Sequence, residues 1–524
     1  MSLRDLLFGN AGVGPDGDAV LVHVGDETHT VAQVRDRATD IACALADAGV
    51  GAGSPVGVML PNGADVVAAL FGVWRADAAY VPLNPRLAQT EVDHVLATIQ
   101  PAAVVTTAEH ADRFGELPVV FPEPDGVKLR PGRAGERRLD ADVALVQFTS
   151  GTTGRPKPVL LRHSSVVTLL DGVIAKLRGG RPGAGSGSGS LESGSGATPG
   201  SGAGAAQGSG SGSPMPNLIP VSLSLWAGLY NVLFALRVGA PVVLMDRFEP
   251  KTFAELVRRY GIRSTVLPPA AMTMLTDDPD VESLEPLRFV RSITAPLSPL
   301  QARRFKDRFG VTLLNCYGQT EIGGEIVGWN AADARAHGED KLGSVGRPHA
   351  GVALRVVDHN GTVLPANQPG ELLVRTPTMV AGYADGTDLS DRLTPDGWFR
   401  TGDVARIDPD GFVWIEGRVS DMINRGGLKV FPAEVEEVLR LDPAVADAAV
   451  VGVPDDRLGE VPWAFVVADG DRPLDPAALD ALCRQHLAPY KVPVRFEPVA
   501  ELPRNEVGKV LKGALAERAV AGRP

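Results

Sequence analysis

The chain carries the stretch Phe148-Thr-Ser-Gly-Thr-Thr-Gly-Arg-Pro-Lys157, in which hydroxyl side chains and glycines follow an apolar run and lead to a lysine. Gly151 and Gly154 allow a tight turn and let a polyanion approach the backbone amides closely. It is not a Walker A loop, because Gly-x-x-x-x-Gly-Lys-Ser/Thr is absent and Pro158 follows the lysine. The stretch predicts a phosphate-binding loop, although a solvated linker of glycine, serine and threonine would have the same composition.

Length and composition limit the class of protein. The chain has 524 residues, of which 44% are hydrophobic and 22% charged, so we expect two or more domains. A formal net charge of −12 argues against nucleic acid as a partner. No apolar run reaches the ~18 residues that span a bilayer, and the first residues lack a secretory pattern. We therefore expect a cytoplasmic protein without integral membrane association.

The chain has three cysteines, Cys43, Cys316 and Cys483, which lie far apart without metal-ligand spacing. Such spacing offers no disulfide framework and suits a reducing compartment. We interpret all three as packing residues.

Around the loop, short apolar runs alternate with helix-period segments. Residues 34–48 and 64–75 predict helices, and residues 55–60 predict a buried strand between them. Residues 102–106 and 144–148 predict further strands, of which the second delivers the phosphate loop at its carboxyl end. Open α/β sheets bind ligands at that edge. The alternation predicts parallel α/β sheets.

Residues 179–213 break every pattern, because they are almost wholly glycine, serine and alanine. Such a composition cannot bury a core, so we expect a disordered insertion. Regular patterns resume at residues 218–226 and 240–244, with a helix at 253–260 and a strand at 264–267. The insertion therefore interrupts a domain and does not separate two.

The pattern changes after Gly343. Between Gly343 and Ile415, strand patterns recur about every eight to twelve residues with turn signals such as Pro409-Asp-Gly411, which predicts a small β-rich subdomain. Beyond Gly417 we expect a separate α+β unit. Its expected elements are helices at residues 432–441 and 476–487 and strands at residues 446–453 and 463–467.

Five further stretches carry polar and glycine residues suited to a nucleotide site. They are Asn315-Cys-Tyr-Gly-Gln-Thr-Glu321, Trp398-Phe-Arg-Thr-Gly-Asp403, Gly417-Arg-Val-Ser-Asp421, Arg425-Gly-Gly-Leu-Lys429 and Pro503-Arg-Asn-Glu-Val-Gly-Lys509. In this order and spacing, together with the phosphate loop, they resemble the adenylate-forming superfamily of acyl-CoA synthetases, peptide-synthetase adenylation domains and firefly luciferase. The resemblance covers nearly the whole chain.

This resemblance implies a large amino-terminal adenylation domain of α/β sheets with a β-rich subdomain (residues 1–417), a hinge (418–421) and a small mobile α+β lid (422–524). It implies a ligase that uses ATP and Mg²⁺ to activate a carboxylic acid as an acyl-adenylate, releasing pyrophosphate. The acyl group then passes to the thiol of CoA, releasing AMP. Transfer to a carrier-protein phosphopantetheine is the nearer alternative, and a regulator that binds nucleotide or acyl groups without catalysis is another.

The resemblance also implies roles for single residues. Joining a carboxylate to a phosphate requires positive charge and donors where the negative charge gathers. Lys509 would bridge the carboxylate and the α-phosphate, Thr320 would donate to the α-phosphate, and Glu321 would bind magnesium through a hard oxygen. Taken alone, each could equally be a surface residue.

The remaining site residues fall into groups by the part of the ligand they would meet. The phosphates would meet Thr149, Ser150, Gly151, Thr152, Thr153, Gly154 and Lys157. Adenine would stack on the ring of Tyr317, with Thr294, Ala295 and Pro296 as the loop beneath it, and the ribose would meet Asp403. Asn315 and Gly318 would belong to the same nucleotide site, and Arg418 would contact the nucleotide from the domain boundary. CoA would meet Gly426, Gly427 and Lys429.

Three positions depart from the family pattern. Ser420 stands where the hinge usually has aspartate or lysine, which is permitted because a hinge need only absorb a backbone rotation. Thr294 replaces a common glycine in the adenine loop and narrows the backbone choices there. Residues 220–228 lack the aromatic or histidine signature that often follows the proline, so we expect an unusual wall for the acyl pocket.

The last departure bears on the substrate. Amino-acid-activating relatives carry an aspartate in this region for the α-ammonium, and none stands between Leu218 and Tyr230. Because an unpaired buried ammonium is costly, we expect an apolar acid that is not an amino acid. The residues that suggest an apolar, bulky acyl group are Leu223, Leu225, Trp226, Leu229 and Tyr230, although core packing would explain most of them as well.

Deletion of residues 183–213 tests the insertion. We expect nearly unchanged folding and ATP turnover, because the segment has little apolar surface to bury. Soluble yield and pyrophosphate release measure the outcome, and insoluble protein would contradict it.

Overall fold

The computed structural model describes residues 2–9, 11–14, 16–149, 156–177, 214–380, 382–470, 472–504 and 510–522. Its strands, numbered along the chain, are β1 (Val20–Val24), β2 (Glu27–Thr30), β3 (Pro55–Met59), β4 (Ala79–Pro82), β5 (Ala103–Thr106), β6 (Val119–Glu123), β7 (Gly126–Arg130), β8 (Val143–Thr149), β9 (Lys157–Arg162), β10 (Asn217–Ile219), β11 (Val242–Leu244), β12 (Ser264–Leu267), β13 (Phe289–Ser292), β14 (Thr312–Gln319), β15 (Gly324–Gly328), β16 (Arg347–Pro348), β17 (Ala353–Val357), β18 (Gly370–Arg375), β19 (Phe399–Ile407), β20 (Val413–Arg418), β21 (Ile423–Arg425), β22 (Leu428–Val430), β23 (Val445–Asp455), β24 (Gly459–Ala468) and β25 (Arg495–Val499).

The helices connect these strands in the first half of the chain and cover the last sheet. They are α1 (Asp5–Phe8), α2 (Val31–Asp47), α3 (Ala64–Arg75), α4 (Gln89–Ile99), α5 (His163–Leu177), α6 (Trp226–Arg237), α7 (Pro250–Arg259), α8 (Pro269–Asp277), α9 (Pro299–Phe309), α10 (Ala331–His337), α11 (Pro432–Leu439), α12 (Pro476–His486) and α13 (Lys512–Ala521).

The first sheet has the strand order β7-β6-β5-β3-β4-β8-β9. Strands β6, β5, β3, β4 and β8 run parallel, and β7 and β9 are antiparallel edges. Every residue of β3 is buried, which is why this central strand is a continuous apolar run in the sequence. The predicted strand at 55–60 and the predicted helix at 64–75 are confirmed.

Helix α2 begins three residues before its predicted start. Its first turn is capped by Thr30, whose hydroxyl accepts from the Gln33 amide while the Gln33 side chain accepts from the Thr30 amide. This reciprocal pair satisfies two backbone donors that the helix leaves unpaired at its start. The cap, and not the apolar period, therefore sets the boundary.

Two smaller sheets follow, with strand orders β10-β11-β1-β2 and β12-β13-β14-β15-β16. Strands β12, β13 and β14 are parallel, so their carboxyl ends meet at one edge. Thr294 lies two residues beyond the end of β13, and Gln319 ends β14. The edge where open α/β sheets bind ligands thus carries two of the predicted nucleotide-binding stretches.

The predicted β-rich subdomain is confirmed as the antiparallel sheet β17-β18-β19-β20. The tight turn between β19 and β20 is held by Asp408, whose carboxylate accepts from the amides of Asp410 and Phe412 at 2.9 and 2.8 Å. This hairpin places Asp403 on β19 directly opposite Arg418 at the end of β20.

The last sheet has the order β22-β21-β24-β23, with β25 parallel to β24. It is covered on both faces. One buried cluster lies under α11 and α12 around Val450, and another lies under α13 around Trp463. The clusters contain described residues from Ile423 onward.

The interpretation of all three cysteines as packing residues is wrong for Cys43. Cys483 is buried on α12 and Cys316 is partly buried, but Cys43 is exposed on α2. Its neighbours Ile41, Ala42 and Leu45 face the core, and position 43 lies on the opposite side of the helix.

Three sequence predictions fall outside the described residues: the phosphate-loop residues 150–154, the insertion at 179–213 and the placement of Lys509. Within the described part of the chain, no helix combines the length and apolar character needed to cross a bilayer.

Candidate active site

A cleft of about 2790 Å³ lies between the amino-terminal sheets and the carboxyl-terminal unit. One wall comes from β13, β14 and β19, and the other from α11, β23 and α13. Many residues predicted from the sequence meet here. The predicted residues that line the cleft are Thr149, Thr294, Ala295, Pro296, Asn315, Tyr317, Gly318, Thr320, Asp403 and Arg418. The fold therefore gathers residues from three different sheets into one space.

Other predicted residues do not line this cleft. Gly426, Gly427 and Lys429 lie at the exposed hairpin between β21 and β22. Both glycines have left-handed backbone, with φ of +59° and +86°, so the turn favours glycine at both positions. Lys157 and Glu321 are partly buried next to lining residues. Ser150, Gly151, Thr152, Thr153, Gly154 and Lys509 lie outside the described residues.

Asp403 is a buried carboxylate with partners from two other strands. Its Oδ2 accepts from the Tyr317 hydroxyl and from the Gln319 amide, both at 2.6 Å. Its Oδ1 lies 3.1 Å from Nε of Arg418. With only 4% of its surface exposed, the carboxylate needs these partners to replace the hydrogen bonds of lost water. Burial, followed by the negative charge of Asp403, raises the pKa of Tyr317, so the phenol stays a donor.

The chain after β14 turns sharply to bring Thr320 and Glu321 together. Gly318 permits the turn, because a Cβ there would lie 1.8 Å from the Gly324 carbonyl oxygen. Thr320 and Glu321 then form a short 3₁₀ turn. The Glu321 side chain is 14% exposed, and its Oε1 lies 3.9 Å from Nη1 of Arg392. A threonine that lines the cleft is thus followed directly by a partly buried carboxylate.

The residues on either side of the phosphate loop are paired. Thr149 and Lys157 face each other across the antiparallel strands β8 and β9. The ammonium of Lys157 lies 5.1 Å from the centre of the Tyr383 ring, within the range of a cation–π contact. The loop therefore begins and ends at the carboxyl end of β8, as the sequence predicted.

Thr294 has φ of +70°, in the left-handed region. A β-branched residue is strongly disfavoured there. The next amide, of Ala295, donates to the Ile293 carbonyl at 2.9 Å and fixes the bend. Threonine at a position where the family commonly has glycine therefore strains the backbone of this cleft-lining loop.

In addition to α11, β23 and α13, two further parts of the chain beyond Arg418 line the cleft. Arg504 and Val510 pair with each other and both line the cleft. At the predicted hinge, residues 419–421 form a 3₁₀ turn in which the Ser420 hydroxyl donates to Asp421 Oδ1 at 2.9 Å.

Family models match both parts of the chain. Residues 9–384 match the model of the AMP-binding enzymes, and residues 434–509 match that of the AMP-binding enzyme C-terminal domain. The chain belongs to the family of AMP-binding enzymes.

Relatives of this AMP-binding enzyme match it over almost its full length. A feruloyl-CoA synthase from Amycolatopsis sp is 32% identical over 517 residues, covering 95% of this chain and 96% of the relative. A fatty acid–[acyl-carrier-protein] ligase from Streptomyces coeruleorubidus is 30% identical over 507 residues, covering 94% and 92%. The structure of ATP-bound MatB from Rhodopseudomonas palustris superposes with a TM-score of 0.82 at 25% identity, covering 99% of both chains. The predicted fold class and the identification as an adenylate-forming enzyme of the acyl-CoA synthetase type are confirmed.

Sequence reasoning assigned no role to Gln319, which the structure places on Asp403. The Gln319 amide also donates to the Thr401 carbonyl at 3.0 Å, so it joins β14 to β19. The available signal was its spacing of two residues from Tyr317 on the same strand, since residues at that spacing share a face.

A buried ionic cluster beside the acyl-pocket wall was also missed. Arg291 Nη1 donates to Glu325 Oε2 at 2.8 Å, and His349 Nε2 lies 3.1 Å from Glu325 Oε1. Burial alone would raise the pKa of Glu325, but Arg291 and His349 lower it to about 2. Lys176 donates to the carbonyls of Gly328 and Arg347, both at 2.6 Å, and burial lowers its pKa to about 8. The sequence offered one signal for the Arg291–Glu325 pair, which is that each of these charged residues lies within a segment that forms a strand.

Substitution of Thr294 by glycine should stabilise this AMP-binding enzyme by about 1 kcal/mol. The strain of a disfavoured backbone conformation is about 1–3 kcal/mol, and the added freedom of glycine in the unfolded chain costs about 0.4–1 kcal/mol. Denaturant unfolding measures the difference. Thr294→Ala is the matched control, because it removes the β-branch but keeps a Cβ, and it should give a smaller gain. A lower unfolding midpoint for Thr294→Gly than for the wild type would show that the loop is not strained.

Proposed function

We propose that this AMP-binding enzyme is an ATP- and Mg²⁺-dependent acid–CoA ligase whose substrate is an apolar carboxylic acid other than an amino acid. The observation that supports this best is the convergence of Thr149, Tyr317, Thr320, Asp403 and Arg418 on one cleft that the carboxyl-terminal unit also lines. A cytoplasmic location is part of the proposal, since the cysteines form no disulfide.

In the first half-reaction, a carboxylate oxygen of the acid attacks the α-phosphorus of ATP. A bond forms between that oxygen and phosphorus, and the bond to the bridging oxygen breaks, so that pyrophosphate leaves with the electron pair. Thr320 would donate to the α-phosphate, and Lys509 would bring positive charge between the two anions. The contact of Arg504 and Val510 with the cleft supports this role, because they flank the stretch that contains Lys509.

Glu321 would hold magnesium. The described residues contain no cluster of three or more potential metal ligands. A single carboxylate nevertheless fits Mg²⁺, which keeps several waters and binds proteins through one or two carboxylates together with substrate phosphates. When bound, the ion would neutralise charge on the phosphates. The Arg392 guanidinium, 3.9 Å away, would hold the carboxylate in place.

Asp403 would accept hydrogen bonds from the ribose hydroxyls, but fewer of its lone pairs are unoccupied than the sequence implied. A carboxylate offers about four lone-pair sites. Tyr317 and Gln319 occupy two on Oδ2, and Arg418 faces Oδ1. One ribose hydroxyl could therefore bind without rearrangement, and a second would replace the Tyr317 hydroxyl, which would free that ring to stack on adenine.

The second half-reaction requires a different surface. The CoA thiol attacks the carbonyl carbon of the acyl-adenylate, its proton is lost, and AMP leaves with the electrons of the broken carbon–oxygen bond. Gly426, Gly427 and Lys429 lie outside the cleft lining in this structure. We propose that the lid turns about residues 418–421 to bring this hairpin to the adenylate.

The acyl group would lie against α6. Leu223 and Leu229 are each 1% exposed and belong to the core, so the expectation that they line the acyl pocket is not supported. Leu225, Trp226 and Tyr230 line the cleft, joined by Phe234. Aromatic side chains dominate this wall, which supports an apolar acyl group with a ring or a bulky body.

The overall reaction is tested by incubating the enzyme with ATP, CoA and a panel of aliphatic, aromatic and polycyclic acids. We expect release of AMP and pyrophosphate with some of these acids. ADP as the product would exclude the proposed chemistry.

The acceptor is tested separately, because a fatty acid–[acyl-carrier-protein] ligase is among the full-length relatives. Consumption of free CoA supports the proposed ligase. Adenylate formation without CoA consumption, followed by loading of a phosphopantetheinylated carrier protein, would favour the alternative acceptor.

Lys509→Ala should slow adenylation by about 10²–10³ and leave thioester formation from supplied acyl-adenylate comparatively intact, because the charge is needed only while two anions meet. Pyrophosphate release and thioester formation measure the two steps. Lys512→Ala is the control, since the Lys512 ammonium binds Glu436 at 2.7 Å, and it should affect adenylation far less. Equal losses in both half-reactions of Lys509→Ala would refute the assigned role.

A further inference from the structure

The aromatic wall of the cleft contains a polar atom without a partner. The hydroxyl of Tyr230 is buried and has no hydrogen-bond partner among the described residues. The Tyr230 ring packs between Trp226 and Phe234, with ring centres 5.8 and 6.4 Å away. Its environment is therefore apolar on both sides along α6, and a hydroxyl in such a place is unfavourable unless something bonds to it.

The two charged groups that influence the Tyr230 phenol do not supply that bond. Arg291 and Glu325 line the cleft with Tyr230 and lie close enough to influence the pKa of its phenol, which burial raises first of all. They are bonded to each other at 2.8 Å, and the second oxygen of Glu325 faces His349. Burial is the main reason that the pKa of His349 is lowered, so the imidazole remains neutral. The charges of Arg291 and Glu325 therefore compensate each other.

A charged ligand group would find little to bind here. The arginine and glutamate charges cancel, and the Lys176 ammonium is bonded to the carbonyls of Gly328 and Arg347. A second carboxylate on the substrate would lose its water without gaining a free counter-ion. A neutral oxygen would lose little and would give the Tyr230 hydroxyl its missing partner.

We propose that Tyr230 binds a neutral oxygen on the acyl group, apart from the reacting carboxylate, so that the substrate is an acid with an apolar body that carries a hydroxyl, carbonyl or ether oxygen. This inference rests on the proposed acid–CoA ligase function. A buried polar group that is paired only by the correct substrate discriminates strongly against an analogue that lacks the group. Tyr230 is therefore a specificity-determining residue of the acyl pocket.

The test compares acids that share one body and differ in one group. Suitable sets are 3-phenylpropanoate with its 4-hydroxy, 4-methoxy and 4-carboxy derivatives, and 3-cyclohexylpropanoate with its 4-oxo derivative. For at least one body, the wild-type enzyme should show kcat/KM about tenfold or more higher for the acid with the neutral oxygen. Tyr230→Phe should abolish that preference while using the oxygen-free acid as well as the wild type does.

Two further measurements separate recognition from a structural role. Without substrate, Tyr230→Phe should keep or raise the thermal midpoint, because it removes an unpaired buried hydroxyl. Tyr260→Phe is the matched control, since Tyr260 also borders the cleft but packs against His23 with ring centres 4.7 Å apart. It should leave the preference unchanged.

The inference is overturned if the wild type uses the members of every set equally, if Tyr230→Phe keeps the preference, or if the 4-carboxy acid is the best substrate. Each of these results would still show acid activation. Absence of AMP and pyrophosphate release with every acid would instead overturn the proposed function on which the inference rests.

Discussion

The buried carboxylate of Asp403 is the contact on which the geometry of the cleft depends. It lies on β19, accepts from two residues of β14 and pairs with Arg418 at the end of β20. Loss of these partners would leave a nearly buried carboxylate without compensation, which is destabilising. The requirement to pair one charge therefore holds the β-rich subdomain against the sheet that carries the nucleotide residues. It also fixes Arg418, the residue at which the proposed hinge begins.

The chain beyond Arg418 is held much less firmly. Val419 is 41% exposed, and the Ser420 hydroxyl bonds to the adjacent residue Asp421 and not across the domain boundary. A firmly bonded arginine followed by an exposed turn is a suitable place to absorb a backbone rotation. Ser420 is thus compatible with a hinge, because backbone rotation there requires few contacts with the rest of the protein and does not require a charged side chain.

The sequence predicted those parts of the fold that depend on local patterns. Strand β3 is apolar throughout because it is buried on both faces, and α3 is a longer apolar run that is buried from Val66 to Trp74, so both were located closely. The start of α2 was misjudged because a side-chain cap, and not the apolar period, sets it. Composition alone could not show that Cys43 faces solvent, which depends on the rotational position of its helix.

Residue roles were predictable where a motif carries them and unpredictable where long-range pairing does. Gly318 belongs to a sequence motif, and the structure shows why glycine is needed there, because the Gly324 carbonyl leaves no room for a side chain. Arg291 and Glu325 are separated by 34 positions, and only the alignment of β13, β14 and β15 brings them together. The same alignment of strands brings the Arg291–Glu325 pair near Tyr230, and these two residues are already bonded to each other. No local sequence pattern could reveal this arrangement.

The pairing of charges along the cleft wall bears on how the two half-reactions are separated. Arg418 is bonded to Asp403, Arg291 to Glu325, and Arg392 lies against Glu321. These described arginines are therefore compensated by carboxylates of the amino-terminal domain, and none of the three offers a free charge to a second anion. A reaction that brings a carboxylate to a phosphate needs additional positive charge at that moment. If the lid carries that charge, as we propose for Lys509, adenylation proceeds only in the lid position that inserts it. The amino-terminal domain then binds both substrates without joining them, and the orientation of the lid decides which bond can form.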